Sequence, residues 1–302
     1  MVKLSTFGKT GLFLYCVALL YACSPKIVQP PKAVQPPDVP PIPVVTKQFD
    51  TTDKFYSTKA DSLLSILKQQ TPAMLYDSTG AIAVPSEWVG SVNFGIRKAN
   101  FVILHYTAQD SVQQTLRTFT LLRTEVSAHY VIGKDGKIFH MVNDYMRSNH
   151  AGAGKWGSVT DMNSSSLGIE IDNNGSEPFT DAQVNSLLLL LTQLKKTYNI
   201  PTANFIGHQD YAPKRKSDPG PLFPWKALAD KGFGLWSDTV VIPAPPNFDY
   251  ATALRLIGYD TSDLNAAIIA FKRHFVQQDS NPIMSQLDLN VLYNVYRKYW
   301  TP

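Results

Sequence analysis

Cysteine is almost missing from this chain. Its 302 residues include two, Cys16 and Cys23, so nothing after residue 23 can form an internal disulfide. The fold must hold by packing and by any metal it binds. Charge is also sparse. Only 17% of residues are charged, against about 25% in ordinary globular chains, and the net charge is +4. Taking Lys3 and Lys9 out with a leader over 1–22 leaves 26 basic residues against 24 acidic ones, or +2. So weak a balance gives no electrostatic case for nucleic acid as a partner. No long apolar run stands out either. The run 11–22 is short of the roughly 20 residues that a membrane-spanning helix needs. The hydrophobic fraction is nevertheless 44%, enough for a real core.

Proline is present in quantity, at 21 residues. Pro25, Pro30, Pro31, Pro36, Pro37, Pro40, Pro41 and Pro43 crowd one stretch, which reads as an extended, semi-rigid spacer rising about 3.1 Å per residue. Before it, Lys3, Lys9 and the apolar run 11–22 read as an export signal. The run ends Leu20-Tyr21-Ala22-Cys23, which resembles the bacterial lipoprotein box, where the cysteine is lipidated and becomes the first mature residue. The alternatives are a simple secretory signal or an uncleaved anchor. The expectation is a signal peptide over 1–22, Cys23 as the lipidation site, a tether over 23–48, and a membrane contact through the lipid. The expected location is the bacterial envelope, on the periplasmic face of the outer membrane.

Residues 49–90 form a lead-in with one helix predicted over 59–69. From there the pattern is α/β. Strands are predicted over Phe101–Tyr106, 129–132, 137–142, 167–171 and 204–208, and helices over 112–123 and 180–198. Lys134-Asp135-Gly136 marks a hairpin, and Thr180 with Gln183 forms a capping-box pattern. Three further helices, Tyr250–Ile257, one around Leu264 to Phe275, and 289–300, follow a proline-rich break. The expected fold is thus a mixed central β-sheet flanked by helices over 91–238, followed by a small three-helix domain over 239–302.

Three residues in this frame suit one metal. His105 ends the strand "FVILH", His208 ends "NFIGH", and Asp218 lies ten residues on in "GHQDYAPKRKSDPGPLFPW". Two imidazoles and a carboxylate, with a fourth position left to water, form a catalytic zinc set. Pro213, Pro219, Pro221 and Pro224 stiffen the loop, so Asp218 is presented at little ordering cost. Glu170 falls on the opposite face of its strand from Leu167, Ile169 and Ile171, where a carboxylate must be paired or functional. It suits a general base, and Lys216 suits the support of a developing oxyanion. Taken singly, each has a plain structural alternative: a packed histidine, an Asp-Pro-Gly turn, a solvated "KRK" run.

In order, "VILHYTA", "SAHYVIGKDG", "NHAGAGKWG", "SLGIEIDNNG" and the proline-rich loop resemble the motifs of the zinc-dependent N-acetylmuramoyl-L-alanine amidases. This is the type-2 amidase and peptidoglycan recognition protein group, and the resemblance spans about 91–230. It implies that His105, His208 and Asp218 bind Zn2+, and that Glu170 and Lys216 are catalytic. It implies cleavage of the amide between N-acetylmuramic acid and L-alanine in peptidoglycan. His150 matches a position that contacts the muramyl-peptide, and Trp156 reads equally as a groove residue or a packed one. His129 matches a buried structural position. Ala128 departs from members with tyrosine there, which places more of the chemistry on Glu170. "AIIAFKRHF" resembles a three-helix peptidoglycan-binding domain. The rival reading is a non-catalytic peptidoglycan-recognition lipoprotein of the same fold. The oligomeric state is left open.

Overall fold

The computed structural model describes residues 50–67, 74–76, 79, 83–85 and 98–300. The predicted leader, Cys23 and the tether lie outside the described residues. By its contacts the chain divides into two units, Met1–Leu67 and Lys68–Pro302. In the first, helix α1 (Asp50–Leu67) starts well before the predicted 59–69 and leaves Phe55, Leu63, Leu64, Ile66 and Leu67 exposed.

The second unit opens with a two-stranded antiparallel pair, β1 (Met74–Tyr76) and β2 (Ala83–Pro85). Its main sheet has five strands: β3 (Phe101–Tyr106), β4 (Tyr130–Ile132), β5 (Ile138–His140), β6 (Ser166–Ile171) and β7 (Phe205–Gly207). Their order is β5-β4-β6-β3-β7, with β5 antiparallel to β4 and all other neighbours parallel. The most apolar segment, β3, therefore sits between two partners, as a strand buried on both faces should. Helix α2 (Val112–Phe119) follows it, and the predicted 112–123 ends early in a 3-10 turn at Leu122–Thr124.

Strand alternation splits the core in two. Val102, Leu104, Leu167 and Ile169 face α4 (Asp181–Tyr198), whose Leu187, Leu190, Leu191 and Leu194 form a buried stripe. The predicted capping box starts α4: Gln183 N–H donates to Thr180 Oγ1 at 3.1 Å and Thr180 N–H to Gln183 Oε1 at 3.0 Å. On the other face, Phe101, Ile103 and Ile206 share one apolar cluster with the last helices. These are α7 (Tyr250–Ile257), α8 (Leu264–Phe271) and α9 (Gln286–Trp300), with a π-helical turn at Lys272–Val276 extending α8. The short helices α3 (Met162–Ser165), α5 (His208–Tyr211) and α6 (Trp225–Ala229) lie in the connections.

A polar knot ties α5 to those last helices. Asp210 is fully buried. Its Oδ2 accepts from Gly207 N–H and from His274 Nδ1, each at 2.7 Å, and its Oδ1 accepts from Tyr259 O–H at 2.8 Å. His274 is stacked between Trp225, at 3.7 Å, and Phe275, at 3.9 Å. A buried carboxylate is tolerated only when so satisfied. Tyr259→Phe removes one donor without leaving a void, and is expected to cost about 1–3 kcal/mol in chemical denaturation through the unsatisfied Asp210 oxygen.

Candidate metal centre

Parallel register aligns the carboxyl ends of three strands. His105 pairs with Glu170 across β3 and β6, and Leu104 pairs with Gly207 across β3 and β7, which puts His208 next in line. His105 follows Phe101 and Ile103 on one face of β3, and Glu170 follows Ser166 and Gly168 on the same face of β6. Ligands in open α/β sheets bind at this end of the strands.

Asp218 returns to the same point through the proline-rich loop. Arg215 and Lys216 N–H donate to Ala212 O at 2.9 and 3.0 Å, and Gln209 N–H donates to Asp218 O at 2.8 Å, closing the turn beside His208. Pro219 packs against the bare backbone of Gly207, where an added Cβ would lie 2.7 Å from its Cδ. Asp218 Oδ2 then stands 2.9 Å from His105 Nδ1 and 3.1 Å from His208 Nδ1. All three residues are buried, and their ligand atoms lie within 4.8 Å of one another.

Proton positions show what this cluster lacks. His208 Nε2 is 2.7 Å from Ala151 O, and a carbonyl only accepts, so Nε2 carries the hydrogen. Its other nitrogen, Nδ1, faces the Asp218 carboxylate. Burial pushes His105 down to about 4; His208 and Lys216 act the same way and Asp218 opposes, so the His105 ring is neutral near pH 7. Electron-rich atoms held this close call for a cation between them. Two imidazoles and one carboxylate fit a zinc-type ion.

Glu170 stands beside the cluster. Its Oε2 is buried without a hydrogen-bond partner among the described residues, and burial, reinforced by Asp218 and opposed by Lys216, pushes its carboxyl well above the usual range. Lys216 is exposed, and its charge reaches both Glu170 and His105. His150 is buried, with Nδ1 3.1 Å from His105 Nε2 and Nε2 3.3 Å from Ser166 Oγ. Both ring nitrogens are thus engaged inside the protein rather than turned to a groove. Trp156 is only 6% exposed and lies edge-on to Tyr259 at 4.9 Å, the packed alternative of its two readings. His129 is buried, with Nε2 donating to Met146 O at 3.0 Å and Nδ1 accepting from Gly168 N–H at 3.0 Å.

Sequence reasoning missed two residues that hold the site. Arg215 donates to Ala151 O at 2.7 Å and also to Ala153 O, clamping the loop against which His208 rests. Inside "KRK" it gave no signal beyond a solvated charge run. Asn163 Oδ1 accepts from the backbone of His150 and Ala151 at 3.0 and 2.8 Å.

A mixed α/β sheet carrying a His–His–Asp cluster and an unpartnered carboxylate at its strand ends defines a metal-dependent hydrolase. The family model described as N-acetylmuramoyl-L-alanine amidase matches residues 96–221. The N-acetylmuramoyl-L-alanine amidase AmiD of Escherichia coli (strain K12) is 34% identical over 208 residues, 58% of this chain and 74% of that protein. The 1,6-anhydro-N-acetylmuramyl-L-alanine amidase AmpD of Haemophilus influenzae is 38% identical over 107 residues, 35% of this chain and 58% of that protein. The chain belongs to the N-acetylmuramoyl-L-alanine amidase family. Among solved structures, E. coli AmiD in complex with anhydro-N-acetylmuramic acid-L-Ala-D-gamma-Glu-L-Lys aligns with a TM-score of 0.61 at 27% identity, over 76% of this chain and 99% of that one. AmpDh3 of Pseudomonas aeruginosa in complex with anhydromuramic pentapeptide aligns with a TM-score of 0.62 at 28% identity, over 70% and 96%.

Asp218→Ala is expected to lower zinc affinity beyond the ~10–100-fold typical of outer-shell partners, as read by chelator competition. The thermal stability gained on adding zinc should vanish with it.

Proposed function

We infer that this amidase hydrolyses the bond between the lactyl group of N-acetylmuramic acid and the L-alanine of the stem peptide, with zinc held by His105, His208 and Asp218. The observation that carries the mechanism is Glu170, a carboxylate beside the His–His–Asp cluster whose Oε2 has no partner among the described residues. When bound, zinc supplies Lewis acidity for the scissile carbonyl and a water whose pKa falls to about 7. Glu170 takes the proton of the attacking water on Oε2 and returns it to the departing alanine nitrogen. Its pKa, raised by burial, suits both halves of that transfer. The exposed Lys216 ammonium, whose charge is felt at Glu170 and His105, is the group that stabilises the tetrahedral oxyanion in this reading. The muropeptides in the AmiD and AmpDh3 complexes are of the substrate class this reading requires.

The same reading has 1–22 as a lipoprotein signal, Cys23 as the lipidated residue and 23–48 as a spacer that lets the enzyme reach peptidoglycan from the outer membrane's periplasmic face. Among the described residues no helix is long and apolar enough to cross a membrane. Residues 91–238 make the amidase part. Residues 239–302 are a peptidoglycan-binding-like segment that would raise the local concentration of enzyme on its polymer.

Digestion of purified sacculi, followed by mass spectrometry with and without a chelator, tests the reaction. Intact stem peptides and intact glycan are expected only when metal is present. Zinc uptake without stem release would instead make the protein a receptor. Glu170→Ala should lower turnover about 10²–10⁴-fold with zinc content unchanged, and retained activity would remove Glu170 from the mechanism.

A further inference from the structure

Both ring nitrogens of His150 are engaged, and the direction of each hydrogen bond can be worked out from one fixed end. Ser166 Oγ lies 2.5 Å from Met162 O. A carbonyl oxygen cannot donate, so the Ser166 hydroxyl hydrogen is committed to it. Toward His150 Nε2, at 3.3 Å, Ser166 Oγ can then only accept, and Nε2 carries a hydrogen. A doubly protonated His150 would be a buried cation with neither ring nitrogen on a carboxylate, since Nδ1 faces His105 and Nε2 faces Ser166. His150 Nδ1 is therefore a bare acceptor. It lies 3.1 Å from His105 Nε2, which must supply the hydrogen. In a neutral ring this leaves His105 Nδ1 as the lone pair, 2.9 Å from Asp218 Oδ2.

We propose that His150 is a positioning residue that locks His105 in the Nε2–H tautomer and so presents Nδ1 to the metal, with Ser166 and the Met162 carbonyl as the fixed end of the relay. The proposal rests on reading His105, His208 and Asp218 as the metal ligands. Packing supports it independently. An added Cβ on Gly168 would lie 2.3 Å from His150 Cγ, so the ring occupies space that only glycine at 168 leaves open. Asn163 holds the His150 backbone from the other side. Outer partners of ligating histidines commonly set tautomer and ring orientation in this way.

Two measurements on the full chain decide the matter. Zinc affinity by chelator competition should fall about 10–100-fold in His150→Ala. It should largely return in His150→Asn, whose amide oxygen can accept from His105 Nε2–H. His150→Asn as weak as His150→Ala, or His150→Ala with unchanged zinc affinity, would overturn the proposal. Long-range ¹H–¹⁵N imidazole correlation on the metal-free wild type needs no variant and stands even if a mutant fails to fold. His105 is expected as Nε2–H, and Nδ1–H would sink the relay. Neither readout involves hydrolysis, so a protein that binds zinc but cleaves nothing defeats the amidase mechanism and leaves this inference to its own result.

Discussion

Everything in this site depends on one close approach. A carboxylate oxygen of Asp218 is held at 2.9 and 3.1 Å from the Nδ1 atoms of two buried imidazoles. The protein holds this cluster together from behind: Ala151 O fixes the far nitrogen of His208, His150 fixes that of His105, and the backbone closure from Gln209 to Asp218 fixes the carboxylate. Each ligand is oriented by a bond it makes away from the centre. A cation at the centre would tie the three groups together, and its binding would then be part of the folding free energy.

The rest of the fold can be seen as the means of reaching that geometry. Parallel pairing puts His105, Glu170 and His208 at one level, because parallel register aligns like ends of strands. Alternation puts His105 and Glu170 on the face that also carries Phe101 and Ile103, and the C-terminal helices cover that face. Those helices do more than cover it. Tyr259 and His274 hold Asp210, which lies between His208 and Asp218 in the chain and also caps the Gly207 amide. The segment that resembles a three-helix peptidoglycan-binding domain is thus continuous, through buried hydrogen bonds, with the short helix that begins at His208.

Much of this was legible in the sequence. Strand β3 was read at its full length, since a short continuous apolar run ending in histidine has few other meanings. The cap of α4 was visible in Thr180 and Gln183, and helix α7 in the glycine that ends it. Glu170 was placed on the correct face by period-two alternation alone. The 3-10 turn after α2 and the early start of α1 were not legible, because helix ends are decided by packing that local propensity does not contain. His150 and Trp156 show a sharper limit. Their motif implies nearness to the cleft but cannot say whether a ring faces it or lies behind it. Arg215 shows the reverse error, since its neighbours Lys214 and Lys216 make it look like solvated charge while its guanidinium is used on two backbone carbonyls.

Glu170 is where the constraints of folding and chemistry part. Its register partner His105 and its neighbour Asp218 are each bonded to other groups, yet its own Oε2 is left bare. An orphaned buried acceptor costs about 1–3 kcal/mol, and a core lined by two apolar clusters can absorb that cost. A carboxylate satisfied by a lysine or a serine here would be more stable, but its lone pairs would be occupied and its pKa lowered. Lys216 is instead kept exposed and close enough to act only through its field. Among the described residues the unpaired oxygen is consumed by no structural contact, which is what the proposed transfer of a proton from water to a leaving amine requires.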